Sequence, residues 1–323
     1  MERRLLEIRD LKVDLMTQRG IVYALQGVNM DICEGEIHGL VGESGCGKSM
    51  TSKAILHLLD RRRSRVSGSV LLEGRELIGL SEREMRKVRG NLISIVFQDP
   101  MISLNPLMTV GDQIAESYTN HQGDSRKAAL AKAFDMLELV GIHPADRRMK
   151  QYPFELSGGL QQRVMIAMAA ACRPKLLIAD EPTTSLDVTI QAQILELFKE
   201  LRRELKMSIL MITHNFGIVA EICDRVSVMY AGRVIETASS RGIFDRTAHP
   251  YSRALIASIP KARHYCEYLP VIPGSPPRQF EREIGCSFRP RCPYRDASCD
   301  RAQALSKVGE GHMSACTRAF DRG

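Results

Sequence analysis

A glycine-rich stretch at residues 41–50, with the spacing G-x-x-x-x-G-K-S, constrains the fold of this chain more than any other feature. It follows a short apolar run at 37–41, which predicts a buried strand, and it precedes residues 51–56, which predict a helix. Glycines at such a turn let backbone N–H groups surround phosphate oxygens, and the N-terminus of the following helix adds partial positive charge. A plain glycine turn is the alternative, but the order of strand, loop and helix favours a phosphate-binding loop.

The side chains of this phosphate loop (residues 42–49) suit a nucleoside triphosphate. Lys48 is expected to reach the β- and γ-phosphates, and the Ser49 hydroxyl is expected to bind Mg²⁺. The residues predicted to contact the nucleotide here are Gly42, Glu43, Ser44, Gly45, Cys46, Gly47, Lys48, Ser49 and Met50.

Length and composition set mild limits on the class of protein. The 323 residues are enough for a full α/β core and an appended unit, and the net charge of +7 suits a phosphate ligand, an anionic membrane or nucleic acid. The first residues lack the apolar core of a secretory signal, and no apolar run of about 18 residues predicts a membrane span. Nine cysteines beside a nucleotide loop indicate reduced thiols in a cytosol rather than disulfides.

Alternating apolar residues precede the phosphate loop. Residues 5–8 and 11–15 predict edge strands, and residues 22–32 continue the alternation toward the loop. Tyr23 is the aromatic residue of this region that could stack on an adenine base, although half-buried strand tyrosines are also common.

Gln98 ends an apolar run at 91–97 that predicts a core strand. A glutamine at a strand exit can contact Mg²⁺ or an attacking water, and a polar strand end without such a role is the alternative. From about residue 110 to residue 140 the pattern is helical and predicts a small helical subdomain. Its inward-facing residues are expected to be Leu130, Ala133, Phe134, Leu137 and Val140.

A second glycine-rich segment, residues 156–163, begins another predicted helix. Ser157 is expected to be its N-cap, and Gly158 and Gly159 allow an anion to approach the backbone closely. Alone, the segment would be read as an ordinary capped glycine turn. Its position after the phosphate loop favours a second anion-binding helix end.

Polar residues also end two later apolar runs. The run at 176–179 ends in Asp180, which is expected to hold Mg²⁺ through water, and Glu181, which is expected to polarise the attacking water as a general base. The run at 208–213 delivers His214, which is well placed to contact the γ-phosphate.

The order of these motifs resembles that of the ATP-binding subunits of ATP-binding-cassette (ABC) transporters. The resemblance implies an α/β P-loop NTPase fold: a RecA-like core, an antiparallel β subdomain and a helical subdomain at about residues 105–172. It implies ATP and Mg²⁺ as ligands, and a D-loop at residues 185–187. The implied magnesium ligands are Ser49, Gln98 and Asp180. The implied catalytic residues are Glu181, His214 and Gln98. The implied nucleotide contacts from the signature segment are Ser157, Gly158, Gly159 and Gln162.

In this family, the signature segment of one nucleotide domain closes on the phosphate loop of a second domain. Because one set of motifs occurs here, the resemblance implies a second ATPase subunit, and in this family the two subunits are often different, which favours a heterodimer. Two positions depart from the family pattern. Asn215 follows the switch histidine where aspartate is common, and Leu15 could occupy the adenine-stacking position as easily as Tyr23.

The C-terminal part of the sequence narrows the resemblance. A His-Pro-Tyr segment at 249–255, a Pro/Gly-rich linker at 269–277 and a Cys-x5-Cys-Pro-x5-Cys pattern resemble the C-terminal extension of oligopeptide and dipeptide importer ATPases. The predicted domains are therefore an ABC ATPase domain, 1–245, and a Cys-rich extension, 246–323. This family implies peptide import powered by ATP hydrolysis, with two membrane permeases, an extracytoplasmic binding protein and a peripheral position on the cytoplasmic face of the membrane. Nickel or another small solute is the alternative cargo.

Four cysteines cluster in the extension, at Cys286, Cys292, Cys299 and Cys316. Thiolates bind zinc or hold an iron–sulfur cluster, and the loops here are rich in Pro and Arg. Because the spacings are wider than those of zinc knuckles, and because some members of the subfamily resemble cluster proteins, a [4Fe-4S] cluster is the preferred interpretation. Zinc and unliganded thiols remain open. Cys33, Cys172 and Cys223 are expected to be buried, and Cys266 lies outside the pattern.

Other cassette ATPases handle DNA or act in translation. The DNA-handling members insert long coiled coils or zinc modules between their nucleotide motifs, and this sequence has room only for a helical subdomain there. The translation factors carry two cassettes in one chain. A non-catalytic regulatory subunit is opposed by the intact Glu181 and His214. No nucleic-acid partner is therefore expected.

Overall fold

The computed structural model describes residues 3–184, 186–259, 271–277, 280–282, 284–316 and 318 of the chain. Its strands are β1 (Arg4–Thr17), β2 (Gly20–Cys33), β3 (Ile37–Val41), β4 (Ser64–Leu72), β5 (Arg75–Glu76), β6 (Ile93–Val96), β7 (Leu176–Asp180), β8 (Ser208–Thr213), β9 (Arg225–Tyr230), β10 (Arg233–Ser239), β11 (Ser306–Gly309) and β12 (His312–Ser314).

Its helices are α1 (Lys48–Ile55), α2 (Glu82–Val88), α3 (Pro100–Ser103), α4 (Val110–Gln122), α5 (Arg126–Leu139), α6 (Ala145–Arg148), α7 (Gly158–Ala170), α8 (Val188–Leu205), α9 (Phe216–Ile222), α10 (Ser240–Asp245) and α11 (Pro250–Ala257). Short 3₁₀ turns lie at Pro153–Glu155, Arg289–Arg291 and Ala297–Asp300. Within the described residues, no helix is long and apolar enough to cross a membrane.

The chain divides into two compact units, each formed from separate stretches of sequence. Unit 1 comprises Arg3, residues 33–35 and residues 80–211. Unit 2 comprises the described residues of 4–32, 36–79 and 212–323, and it contains the phosphate loop. The predicted boundary between an ATPase domain and an extension at 245/246 stays a prediction, since unit 2 contains residues from both sides of it.

One sheet of unit 2 has the strand order β2-β1-β4-β5, with β1 and β4 antiparallel and β4 and β5 antiparallel. Strand β1 is continuous where the sequence predicted two strands, because the residues between them form a bulge. There the register shifts between Arg9 and Lys12, and Asp10 has a φ of 48°. Gly68 lies opposite, where a β-carbon would be 2.5 Å from the carbonyl oxygen of Asp10, so only glycine fits there.

The second sheet of unit 2 has the order β11-β12-β10-β9-β3. Strand β3 pairs with β9 in parallel, whereas β9, β10, β12 and β11 pair with one another antiparallel. All five residues of β3 are buried, as its mostly apolar sequence predicts. The hairpin β11–β12 comes from the C-terminal part of the chain and extends the sheet that contains β3, the strand that leads into the phosphate loop.

Unit 1 holds the parallel pair β6 and β7, with most of β8 beside β7, and the helices α2 to α8. The helical stretch predicted at 110–140 is two helices, α4 and α5, because Gly123 ends α4 in the left-handed conformation and Ser125 caps α5.

The expected inward positions are confirmed at Ala133, Leu137 and Val140, which are buried, and Leu130 is half-buried. The prediction for Phe134 is wrong, because its side chain is 37 % exposed. Ala129 and Met136 complete the buried face.

Candidate functional site

The phosphate loop connects the end of β3 to the start of α1, as the sequence predicts. Gly47 is the N-cap of α1, with a φ of 114°. At Gly42 a β-carbon would lie 2.2 Å from the backbone oxygen of Met229 and 2.8 Å from the Cys46 sulfur, so a side chain is excluded. The loop is open at Gly45, where a β-carbon would meet nothing within 4 Å. This cradle fits a phosphate group, because backbone N–H groups at a glycine-rich helix N-terminus bind anions.

The ammonium group of Lys48 lies over the start of the same loop. Its Nζ donates hydrogen bonds to the carbonyl oxygens of Gly42 at 2.8 Å and of Glu43 at 3.1 Å, and the side chain is buried. Ser49 and Met50 are half-buried, and Ser44 is exposed. Burial raises the pKa of the Cys46 thiol, which therefore stays protonated and neutral. The loop thus presents one buried cation toward a phosphate ligand.

Two contacts to the phosphate loop were not expected from the sequence. The N–H of Glu43 donates to the hydroxyl of Tyr251 at 3.0 Å, and the Glu43 carboxylate accepts two hydrogen bonds from the guanidinium of Arg291. Both partners belong to the C-terminal region. No periodicity or spacing in the sequence links them to residue 43, because they are separated from it by more than 200 positions.

Unit 1 brings Gln98 and Glu181 together. Strands β6 and β7 are parallel and in register, with Val96 opposite Ala179, so the residues that follow them lie at the same edge. Gln98 Nε2 donates to Glu181 Oε2 at 3.5 Å, and Thr184 Oγ1 donates to the same oxygen at 3.0 Å. The polar strand ends predicted to act in hydrolysis are therefore neighbours, as parallel pairing requires.

The backbone of Glu181 is held in the left-handed region, with a φ of 51°. Such a conformation costs roughly 1–3 kcal/mol for a non-glycine residue and is common at functional sites. Asp180, the last residue of β7, is buried, so its carboxylate is shielded from bulk water. The geometry suits Glu181 to a chemical role, because its backbone is strained and its carboxylate lies beside two polar donors.

The signature segment begins α7 with Ser157 at the N-cap position, as predicted. The Ser157 side chain makes no capping hydrogen bond, and both Ser157 and Gly158 are exposed. Gln161 Nε2 fixes the preceding turn by donating to the carbonyl oxygens of Pro153 and Leu156 at 2.9 and 3.1 Å. The 13-residue helix therefore exposes an N-terminus suited to an anion.

Other predicted site residues occupy distinct environments. Gln162 is 1 % exposed, and its contact with a nucleotide stays a prediction. Asp187 caps α8 by accepting from Ile190 N at 2.9 Å, whereas Ser185 of the predicted D-loop lies outside the described residues. His214 is exposed after β8. Asn215 caps α9, because its Oδ1 accepts from Gly217 N at 2.8 Å.

The predicted adenine-stacking position is partly covered. The guanidinium of Arg282 lies 4.7 Å from the ring centroid of Tyr23 and forms an ion pair of 2.9 Å with Asp14. Tyr23 and Leu15 are both half-buried. Stacking of Tyr23 or Leu15 on an adenine base stays a prediction.

The four cysteines of the extension are half-buried free thiols. Burial, together with the neighbouring thiols, raises the pKa of Cys316 to about 11, so the four groups lie within electrostatic range of one another. Within the described part of the chain, however, no group of three or more His, Cys, Asp or Glu side chains is placed to hold a metal ion. The structure therefore does not support the predicted [4Fe-4S] ligand set.

The predicted burial of three other cysteines is confirmed: Cys33, Cys172 and Cys223 are each less than 9 % exposed. Cys266 lies outside the described residues.

Two family models match the chain. The model described as ABC transporter matches residues 25–184, and the model described as oligopeptide/dipeptide transporter, C-terminal region, matches residues 235–299. The second match includes three of the four clustered cysteines and ends before Cys316.

Curated relatives cover almost the whole chain. A probable peptide ABC transporter ATP-binding protein of Sinorhizobium fredii is 51 % identical over 98 % of this chain and 95 % of its own length. The dipeptide transport ATP-binding protein DppD of Bacillus subtilis is 48 % identical over 92 % of this chain and 89 % of its length. The oligopeptide transport ATP-binding protein OppD of Salmonella typhimurium is 48 % identical over 98 % and 94 %.

A solved structure supports the fold. The ATP-binding cassette MJ0796, in a dimeric post-hydrolysis state bound to ADP and phosphate, matches with a TM-score of 0.65 and 29 % identity over 73 % of this chain and 99 % of that one. The predicted ABC nucleotide-binding fold is thereby confirmed. The chain belongs to the ABC transporter family, among the ATP-binding proteins that carry the oligopeptide/dipeptide transporter C-terminal region.

Proposed function

We propose that this chain is the ATP-hydrolysing subunit that powers the import of dipeptides and oligopeptides through an ABC transporter. The observation that carries the proposal is the phosphate loop, in which Lys48 Nζ is held by two loop carbonyls over a cradle that admits no side chain at Gly42. The peptide cargo is supported by the named activities of relatives that match the chain almost end to end.

The chemistry is in-line attack of water on the γ-phosphorus of ATP: a P–O bond to water forms, the bond to the β-phosphate oxygen breaks, and ADP and phosphate leave. Catalysis of this step is mostly positioning and charge neutralisation. In the proposed roles, Lys48 would neutralise charge on the β- and γ-phosphates, Ser49 would be a Mg²⁺ ligand, and His214 would contact the γ-phosphate. Glu181 would take the proton of the attacking water. Asp180 and Gln98 are the remaining proposed Mg²⁺ ligands.

A second ATPase subunit completes the proposed site. The exposed helix end at Ser157 and Gly158 is suited to a nucleotide held by a partner, and the dimeric state of the solved relative is consistent with that arrangement. We propose a related but different subunit as the partner, because the family often uses two kinds. The uncapped Ser157 hydroxyl remains available for the partner's γ-phosphate.

Membrane permeases are the other proposed partners. The segment after Gln98 exposes large apolar side chains: Met101 is 77 %, Ile102 is 84 % and Leu107 is 85 % exposed. Exposed apolar side chains close together in one segment mark a protein-contact surface. We propose that this segment binds a permease at the cytoplasmic face of the membrane, while a binding protein delivers peptide from the other side.

Co-purification and uptake test the proposal together. The tagged full-length chain, isolated from detergent-solubilised membranes of its own cell, should carry two permeases and a second ATPase subunit. Cells that lack the chain should lose uptake of labelled dipeptides or oligopeptides, and Glu181→Gln should fail to restore it. Loss of Ni²⁺ uptake with unchanged peptide uptake would refute the peptide assignment, and co-purification with DNA instead of permeases would refute the transport role.

The [4Fe-4S] cluster is a separate proposal that rests on four cysteines in one short region of the sequence. Protein purified without oxygen would be brown, with broad absorption near roughly 400 nm and stoichiometric iron. Colourless, iron-free protein would refute it, and zinc in its place would favour the alternative metal.

A further inference from the structure

We propose that Arg291 is a positioning residue of the ATP site: it neutralises Glu43 within the phosphate loop and thereby fixes the carbonyl groups that hold Lys48. The inference deepens the proposed ATP-binding function and rests on it. It makes nucleotide affinity depend on a residue of the C-terminal region, because Arg291 is 248 positions from Glu43 in sequence.

The guanidinium of Arg291 is a buried junction. It binds the Glu43 carboxylate through both terminal nitrogens, Nη1 to Oε2 at 2.8 Å and Nη2 to Oε1 at 3.1 Å. Its Nε donates to the carbonyl oxygen of Pro273 at 2.9 Å, and Nη2 also donates to that of Ile272 at 3.3 Å. The Arg291 side chain is 5 % exposed, against 26 % for Glu43. Such bidentate pairing fixes direction as well as charge.

Glu43 is held at a second point by the same region. Its N–H donates to the hydroxyl of Tyr251, which is fully buried. Tyr251 packs against Tyr230 and Phe288, with ring centroids 4.5 and 5.3 Å away. Residue 43 is therefore anchored through both backbone and side chain to elements outside the phosphate loop.

These anchors determine the position of Lys48. The carbonyl oxygen of Glu43 and that of the preceding Gly42 are the acceptors of Lys48 Nζ. A shift of residue 43 would move an acceptor and, with it, the cation that the triphosphate requires. Displacements of about 1 Å can cost roughly a hundredfold in function.

Charge neutralisation is the second reason to expect that Arg291 affects ATP binding. Glu43 places a carboxylate inside a loop that must attract a polyanion, and two like charges repel unless one of them is neutralised. Arg291 supplies the neutralising charge, and the other potential partner in the same 3₁₀ turn, Arg289, pairs instead with Asp300. Removal of Arg291 would leave an unpaired, partly buried carboxylate in the phosphate loop.

The test is ATP affinity of the full-length chain, measured by titration with a fluorescent ATP analogue in the presence of Mg²⁺. Arg291→Met should raise the Kd about tenfold, which corresponds to about 1.4 kcal/mol, and should raise KM more than it lowers kcat. Arg291→Lys keeps the charge but not the bidentate geometry, so its Kd should lie between those of the wild type and Arg291→Met. Arg289→Met, in the same turn, is the matched control and should leave the Kd unchanged.

A second substitution separates charge neutralisation from general loss of structure. Adding Glu43→Gln to Arg291→Met removes the unpaired carboxylate and should bring the Kd back toward that of Glu43→Gln alone. Thermal unfolding of each variant verifies that it is folded. Wild-type affinity in Arg291→Met, or equal losses in Arg291→Met and Arg289→Met, would overturn the inference. Failure of the wild-type chain to bind ATP would refute the proposed function instead.

Discussion

We predict from the contacts of His249 that the C-terminal region loses stability as the pH falls. It is the N-cap of α11, where its Nδ1 accepts a hydrogen bond from Tyr251 N at 3.1 Å, so this nitrogen carries no proton. The backbone N–H of His249 donates to the Glu236 carboxylate at 3.0 Å. Protonation of Nδ1 would remove the acceptor and place a charge in a side chain that is 2 % exposed.

Burial lowers the pKa of His249 from 6.5 to about 4, against a smaller opposing effect of Glu236. The neutral form is therefore favoured in the folded state, and the stability it confers is complete above about pH 6.5 and is lost as the pH falls toward 4. That difference in pKa corresponds to roughly 3 kcal/mol of unfolding free energy. This amount is a large fraction of the stability of an ordinary domain, roughly 5–15 kcal/mol.

Urea unfolding of the full-length chain at pH 7.5, 6, 5 and 4.5, in solutions of about equal ionic strength, measures the effect. His249→Asn keeps a side-chain oxygen as N-cap but does not titrate, so the free energy of unfolding should fall less with acid than in the wild type. His121→Asn, at an exposed position in α4, should leave the wild-type pH dependence unchanged. Parallel curves for His249→Asn and the wild type between pH 6.5 and 4 would refute the assignment.

Three further outcomes are expected. Glu181→Gln should lower ATP turnover by about 10²- to 10⁴-fold with ATP binding retained, as measured by phosphate release and titration; wild-type turnover would exclude a general-base role. Gly42→Ala should weaken ATP binding and cost about 1–3 kcal/mol of stability, because the added β-carbon would meet the Met229 carbonyl. The control Gly74→Ala, at a position in open space with a φ of 81°, should leave ATP binding unchanged. Asn215→Ala should cost about 1 kcal/mol in urea unfolding and Asn215→Asp much less, since both Asn and Asp can cap α9; equal losses would show that the cap is not the source.

The elements that carry the nucleotide motifs could be predicted from the sequence because each depends on local pattern. Strand β3 has the predicted bounds, and β7 extends the predicted run by only Asp180. Mostly apolar runs followed by glycine or acidic residues leave little freedom, since a strand buried on both faces is nearly continuously apolar. The contact between Gln98 and Glu181 follows from the parallel pairing of their strands.

One error has a physical cause. Phe134 follows the buried Ala133 by one residue, which corresponds to a rotation of about 100° around a helix. Its ring is therefore exposed, while the small Ala129 and Ala133 pack in the core. The cysteine pattern suggested a metal site, but a ligand set requires converging side chains, which spacing does not specify, and the described residues hold no such group.

The contacts of Glu236 show how the C-terminal region packs into the same compact unit as the phosphate loop. This carboxylate of β10 is fully buried and accepts hydrogen bonds from Ala248 N at 2.6 Å, His249 N at 3.0 Å and His312 Nε2 at 2.8 Å. All three donors follow residue 245. A chain that ended there would leave a buried carboxylate without them, and loss of the partner of a buried charge costs about 3–5 kcal/mol.

The same region provides Tyr251 and Arg291 to the phosphate loop and pairs β12 with β10. The described residues after 245 therefore lie in the same compact unit as Lys48 and contact the phosphate loop. If Arg291 positions the loop as we propose, these contacts give the C-terminal region a structural route to the ATP site.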